Sequence, residues 1–200
     1  MTGSRTVPDD IYPESGNRLP PPEREMLDEA RKKDFDNSVS GRTLAGLRGP
    51  GGIQLYSPVG PLISQVNRYL RFDAGIDARI REIAILTTAR EASNQFEWTM
   101  HEPAALKEGV APEIVDLIKH RKPVAGIAEE YALVIRLGRA IFADRKVPSE
   151  LFAQARAQFG DQRLVDIVLL MGNYAATAAL LTAFDMQLPA DRAPLLPAES

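Results

Sequence analysis

Residues 81–110 read REIAILTTAREASNQFEWTMHEPAALKEGV, and the fold turns on whether this stretch is one rod or two. As one straight helix it would hold Glu82 and His101 roughly 28 Å apart, at 1.5 Å rise per residue. Ser93 and Asn94, however, are suited to capping a new helix. The stretch therefore predicts a chain reversal at Ala92–Asn94 between two consecutive helices. The first, DARIREIAILTTARE over 77–91, carries Ile80, Ile83, Ala84 and Thr87 on one face, with Ile76 just ahead of it. Ile85 and Leu86 extend the apolar surface nearly all round, which marks a buried helix. The second starts after Asn94 and stops near Gly109.

Outward from this pair the pattern stays helical. In SPVGPLISQVNRYLRFD (57–73), Val59, Leu62, Ile63, Val66 and Leu70 fall at helical spacing, and Pro58 or Pro61 suits a first turn. PEIVDLIKHR (112–121) begins on a proline. GIAEEYALVIRLGRAIF (126–142) is amphipathic, with Ala132, Ile135, Leu137 and Ile141 among its apolar positions. SELFAQARAQFG (149–160) opens on Ser149 and stops at Gly160. A long apolar helix, DQRLVDIVLLMGNYAATAALLTAFD (161–185), follows. No stretch alternates with period two and no hairpin turn signal occurs, so the class is all-α. Short connections favour antiparallel helix pairs.

Before this bundle, residues 1 to about 22 are punctuated by Pro and Gly and read as an arm without its own core. PEREMLDEARKKDFD (22–36) is a charged helix, and GRTLAGLRGPGG (41–52) a glycine-rich loop. The expected division is an arm over 1–55, a helical domain over 56–189 and an extended, Pro-rich tail over 190–200.

Composition narrows the functions. With 24 Lys+Arg against 27 Asp+Glu there is no basic excess, which argues against nucleic acid as a partner. The chain has no Cys, so thiolate nucleophiles, disulfides and thiolate metal sites are excluded. Two histidines, His101 and His120, are too few for a histidine-rich metal site. The first residues lack an apolar leader core, and a cytoplasmic protein is expected. Residues 164–184 are long enough to span a membrane, but Asp166 and Asn173 fall inside them. A central helix whose apolar surface is shared between subunits is the preferred reading, with no membrane partner.

The chemistry concentrates in the second helix. Glu97 and His101 stand one turn apart on one face, flanked by Asn94, Trp98 and Ala105. A carboxylate there orients the imidazole and fixes its tautomer. A plainer role exists: Asn94 to Glu97 has the spacing of a capping box, in which Glu97 serves only backbone N–H groups, Trp98 is core and His101 a bystander. Pro103 removes the bond to the Thr99 carbonyl, as a kink or as a freed acceptor. Glu82 lies in the apolar run REIAIL, where an unpaired carboxylate is costly. It joins His101 only if the chain reverses.

The segment 81–110, together with LVDIVLLMGNYAATAALLTAFDMQLP near the C-terminus, resembles the carboxymuconolactone decarboxylase family. The superfamily also holds the alkyl hydroperoxidase D-like proteins. The resemblance runs from about Leu62 to Pro189. In the peroxidase branch a Glu precedes Cys-x-x-Cys-x-x-x-His. Glu82 and His101 match the outer residues, and Asn94 and Glu97 stand at the two Cys positions. Cys-dependent peroxide reduction is thereby excluded. The Glu-x-x-x-His of the decarboxylase-like branch is matched by Glu97 and His101.

The resemblance implies an antiparallel helix bundle of the alkyl hydroperoxidase D-like type, assembled as a dimer, trimer or hexamer, with a pocket near a subunit interface. It also implies a cofactor-independent carboxy-lyase, or a related lyase or isomerase, acting on a small carboxylated lactone or ring-cleavage acid. His101 would donate or shuttle a proton, Glu97 orient and recharge it, and Glu82 complete the relay. Trp98 and Asn94 would line the substrate site, and Arg81 and Arg90 are the nearest cations for an anion. No metal or cofactor is called for, because such a substrate carries its own electron sink. The rivals are a non-catalytic oligomeric binding module and a metal-dependent hydrolase.

Overall fold

The computed structural model describes residues 7–40 and 46–197. Among these the elements are helical, with one isolated antiparallel bridge between Tyr12 and Asn17. In chain order the helices are α1 (Glu29–Val39), α2 (Pro50–Gln54), α3 (Gly60–Arg68), α4 (Ala78–Glu91), α5 (Gln95–Lys107), α6 (Pro112–Lys119), α7 (Glu129–Phe142) and α8 (Ser149–Ala183). A π-helical turn, Tyr69–Asp73, continues α3. Gly160 breaks the helical path inside α8 with φ of 74°, the stop expected there.

The chain divides into two compact units. One comprises residues 1–65 and 179–193, the other 66–178 and 194–200. Backbone pairing joins the two stretches of the first unit: Arg18 N–H donates to Phe184 O at 3.0 Å and Gln187 N–H to Gly16 O at 2.8 Å. These bonds tie the arm to the chain after α8. There Ile11, Ser15 and Asn17 are buried, where sequence suggested an arm without a core.

Within the first unit, α1 starts at Asp28, whose side chain accepts from Arg31 N–H. Part of the expected loop over 41–52 is instead α2; residues 41–45 of that stretch lie outside the described region. Pro50 presets the first turn, and a Cβ at Gly52 would stand 2.1 Å from Leu47 O, so the close approach requires glycine there.

The second unit is built around α4. All of Ile80 through Arg90 is buried, as the apolar sequence predicts. Asp77 caps its start, accepting from Arg79 N–H at 2.9 Å. Ile83, Ile85 and Leu86 pack with Leu133, Val134 and Ile135 of α7 and Ile167, Leu170 and Met171 of α8 in one core. The α4–α7 crossing is close because Gly138 offers no side chain: a Cβ there would lie 2.6 Å from Thr87 Cγ2. The apolar spacing of residues 59–70 predicts a helix, and α3 with its π-helical turn forms there. Leu70 is buried, but Val59, Leu62 and Val66 are exposed.

Candidate active site

The chain does reverse between α4 and α5. Ser93 takes φ of 48°, a left-handed turn that short polar residues tolerate. Asn94 then caps α5, its Oδ1 accepting from Glu97 N–H at 2.9 Å. Its Nδ2 donates to Ala178 O at 3.2 Å. Half of the expected capping box is therefore present. The other half is not: the Asn94 backbone N–H donates to Ala89 O at 2.8 Å, which leaves the Glu97 carboxylate for His101.

Three side chains meet at the turn-linked helices. Glu82 of α4 and Glu97 and His101 of α5 are all buried. His101 Nδ1 lies 2.8 Å from Glu82 Oε2, and His101 Nε2 lies 3.5 Å from Glu97 Oε2. The closer carboxylate is thus Glu82, nineteen residues away, rather than the helical neighbour Glu97. Tyr174 of α8 presents its ring edge-on to the imidazole, with centroids 5.1 Å apart and planes at 86°.

The two carboxyls differ electrostatically. Burial pushes Glu82 upward, but the hydrogen bond and charge of His101, the Arg81 bond and the Arg71 charge outweigh it and hold the group below its ordinary value. For Glu97 burial wins. It raises the carboxyl despite His101 and Arg71, and the Glu82 charge adds to the rise. One imidazole therefore stands between a carboxylate that favours its ionised form and a carboxyl that favours its protonated form. Such divergence separates acid from base in a catalytic pair. Burial likewise pushes the Tyr174 phenol upward.

Sequence placed Arg81 near this cluster, and the structure brings it there. Its Nε donates to Glu82 Oε1 at 3.1 Å, its Nη1 to Arg71 O at 3.0 Å, and its Nη2 stands 3.5 Å from Glu108 Oε1. All three guanidinium nitrogens thus already face acceptors. Arg90, the second expected cation, points elsewhere. It donates through Nε to Lys119 O at 2.7 Å, bracing the end of α6. Trp98 is fully buried, with its indole N–H on Glu102 Oε2 and Lys119 Nζ 5.7 Å over its ring. These are packing and tethering contacts. The amide of Asn94 is likewise committed to backbone groups.

The residue that sequence reading passed over is Arg71. It sits in the π-helical turn, and its charge acts on Glu82, Glu97 and Tyr174. The signal was an arginine set between the apolar Leu70 and Phe72. A π turn shifts the register by a residue, so a projection at 3.6 residues per turn misplaces it.

Two surface hollows elsewhere are lined by Phe152, Arg156 and Asp161, and by Glu102, Lys119 and His120. Neither touches the cluster. Among the described residues no group of three or more His, Asp or Glu side chains is arranged to hold a metal ion.

The model of the Carboxymuconolactone decarboxylase family matches residues 59–136, a span that contains Arg71, Glu82, Glu97 and His101. The fold is similar to that in a crystal structure of an Agrobacterium tumefaciens protein of unknown function, described there as a candidate antioxidant defence protein AhpD. The TM-score is 0.60 and the identity 20%, covering 68% of this chain and 94% of the other. At that identity the likeness concerns the fold. No curated protein matches the chain.

Proposed function

We propose, because residues 59–136 match the model of the carboxymuconolactone decarboxylase family, that the chain is a cofactor-independent decarboxylase of small carboxylated lactones or ring-cleavage acids. The observation that supports this most directly is the buried Glu82–His101–Glu97 array, with the imidazole nitrogens 2.8 and 3.5 Å from the two carboxyls. In the reaction, the bond between the departing carboxylate and its carbon breaks. The electron pair moves into the conjugated lactone carbonyl, giving an enolate and CO₂. A proton is then delivered to the enolate carbon.

Glu82 is the orienting base. Ionised, it accepts the Nδ1 proton and directs Nε2 toward Glu97 and the substrate. Glu97, whose carboxyl is raised by its burial, is the proton reservoir, and His101 passes the proton on. The dry surroundings strengthen each of these interactions. The subunits assemble as homo-oligomers in this reading. Val165, Val168 and Leu169 leave an apolar strip exposed on α8, which a second copy would cover.

A non-catalytic, small-molecule-binding member is the second reading. It is favoured by the double pairing of Glu82 with His101 and Arg81 and by the absence of the cluster from both surface hollows. Purified protein assayed with candidate lactone acids for CO₂ release separates the two. His101→Gln is expected to lower turnover by about 10²–10⁴, the usual contribution of a positioned acid–base group, with assembly unchanged. Turnover unaltered in that variant would end the relay mechanism.

A further inference from the structure

One arginine beside the cluster has a buried N–H that none of the neighbouring side chains accepts. Arg81 is matched by Glu82 and Glu108. Arg71 is not: its Nε is shut off from solvent without a hydrogen-bond partner. A buried guanidinium N–H with no acceptor is costly, and an incoming ion is one of the partners that answers such a group. The setting suits an arriving anion. Arg71 is fixed at its backbone, since its carbonyl accepts from Arg81 Nη1 at 3.0 Å. Its guanidinium lies over the Phe72 ring, 4.9 Å from the centroid, and Arg81 lies 5.7 Å from the same ring. This cation–π contact uses none of the guanidinium N–H groups, and Nε is left without an acceptor. Phe72 is 64% exposed, so this flank of the cluster opens to solvent.

We propose that Arg71 is the carboxylate anchor of the site, gripping an anionic substrate through Nε–H and a neighbouring terminal N–H in the two-point manner of arginine. The assignment rests on the decarboxylase reading only for the identity of the substrate; the anion site stands on Arg71 itself. The chemistry also says which carboxylate is held. Charge must leave the departing carboxylate during the reaction, and a cation gripping that group would oppose its loss. The anchored carboxylate is therefore one that the product keeps, and the preferred substrates carry two.

The test uses (5-oxotetrahydrofuran-2-yl)acetate, a saturated lactone acid without the conjugated sink whose one carboxylate stands off the ring, where the product would keep it, and its methyl ester as the neutral control, both titrated calorimetrically into the full-length protein. Wild type is expected to bind the acid at least about tenfold more tightly than the ester, the equivalent of one charge-assisted hydrogen bond. Arg71→Gln should lose that preference while its ester binding stays the same. Arg71→Lys should restore part of it, and it carries the test if the glutamine variant fails to fold. Equal binding of acid and ester by wild type, no binding of either, or acid binding undiminished in both variants would overturn the anchor. Acid binding through Arg71 without turnover of any lactone acid would instead overturn the decarboxylase reading and leave the anchor standing. Turnover with kcat and KM unchanged in both Arg71 variants would do the reverse.

Discussion

At the scale of single residues, the two glutamates flanking His101 should respond to pH in opposite senses. The Glu97 carboxyl is raised, chiefly by burial. Its contribution to stability is therefore complete below the ordinary carboxylate range and is lost as pH rises through the raised value. Glu82 is held low, so its contribution is present above the ordinary range and is lost as pH falls through the lowered value. Glu97→Gln removes a group that ionises at a cost, and at pH 8 it should unfold at a higher temperature than wild type. The gain should shrink towards pH 4. Glu82→Gln breaks a buried pair to both His101 and Arg81 and should destabilise by about 3–5 kcal/mol at pH 8, with a smaller deficit in acid. Thermal unfolding of the three proteins across pH 4–8 checks both slopes. Parallel curves would mean that neither carboxyl titrates as its surroundings dictate.

At the scale of elements, the site depends on α4 being held rigidly while α5 reverses against it. The clamp is the α4–α7 contact at Gly138 and Thr87. Gly138→Ala places a methyl 2.6 Å from Thr87 Cγ2 and 3.4 Å from Met171 Cε. Overpacking of this kind costs about 1–3 kcal/mol, and the helix gain of alanine over glycine offsets only part of it. The expected result is a lower unfolding midpoint. Adding Thr87→Ser, which deletes the clashing methyl, should recover stability beyond the sum of the single changes, as contacting positions do. Additive effects in denaturant titrations would show that the helices relax apart instead.

At the scale of the whole molecule, the unanswered feature is apolar surface. Val165, Val168 and Leu169 on α8 are exposed, as are Val66, Tyr69 and Phe72 on and after α3. Half of the most apolar window of α8 is buried inside the chain itself, which fits a core helix with one face left over. If a second copy covers that face, Leu169→Glu should shift the protein to a smaller species in light scattering while far-UV circular dichroism stays helical. An unchanged mass would place the subunit interface elsewhere.

How much of this was legible depends on the range of the forces involved. Local patterning marked α4 as buried, put the break at Ala92–Asn94 and the stop at Gly160, and paired Glu97 with His101 one turn apart, because periodicity and capping act within a few residues. The missing cysteines likewise settled one chemistry from composition. Tertiary packing decided the rest. It set Glu82, rather than Glu97, as the closer partner of His101, and it gave Arg90 to the end of α6. It bound the N-terminal arm to the chain after α8, and through a π turn it carried Arg71 to the cluster. Each of these joins residues distant in sequence, or rests on a register that a single turn can shift, and no local propensity encodes such a meeting.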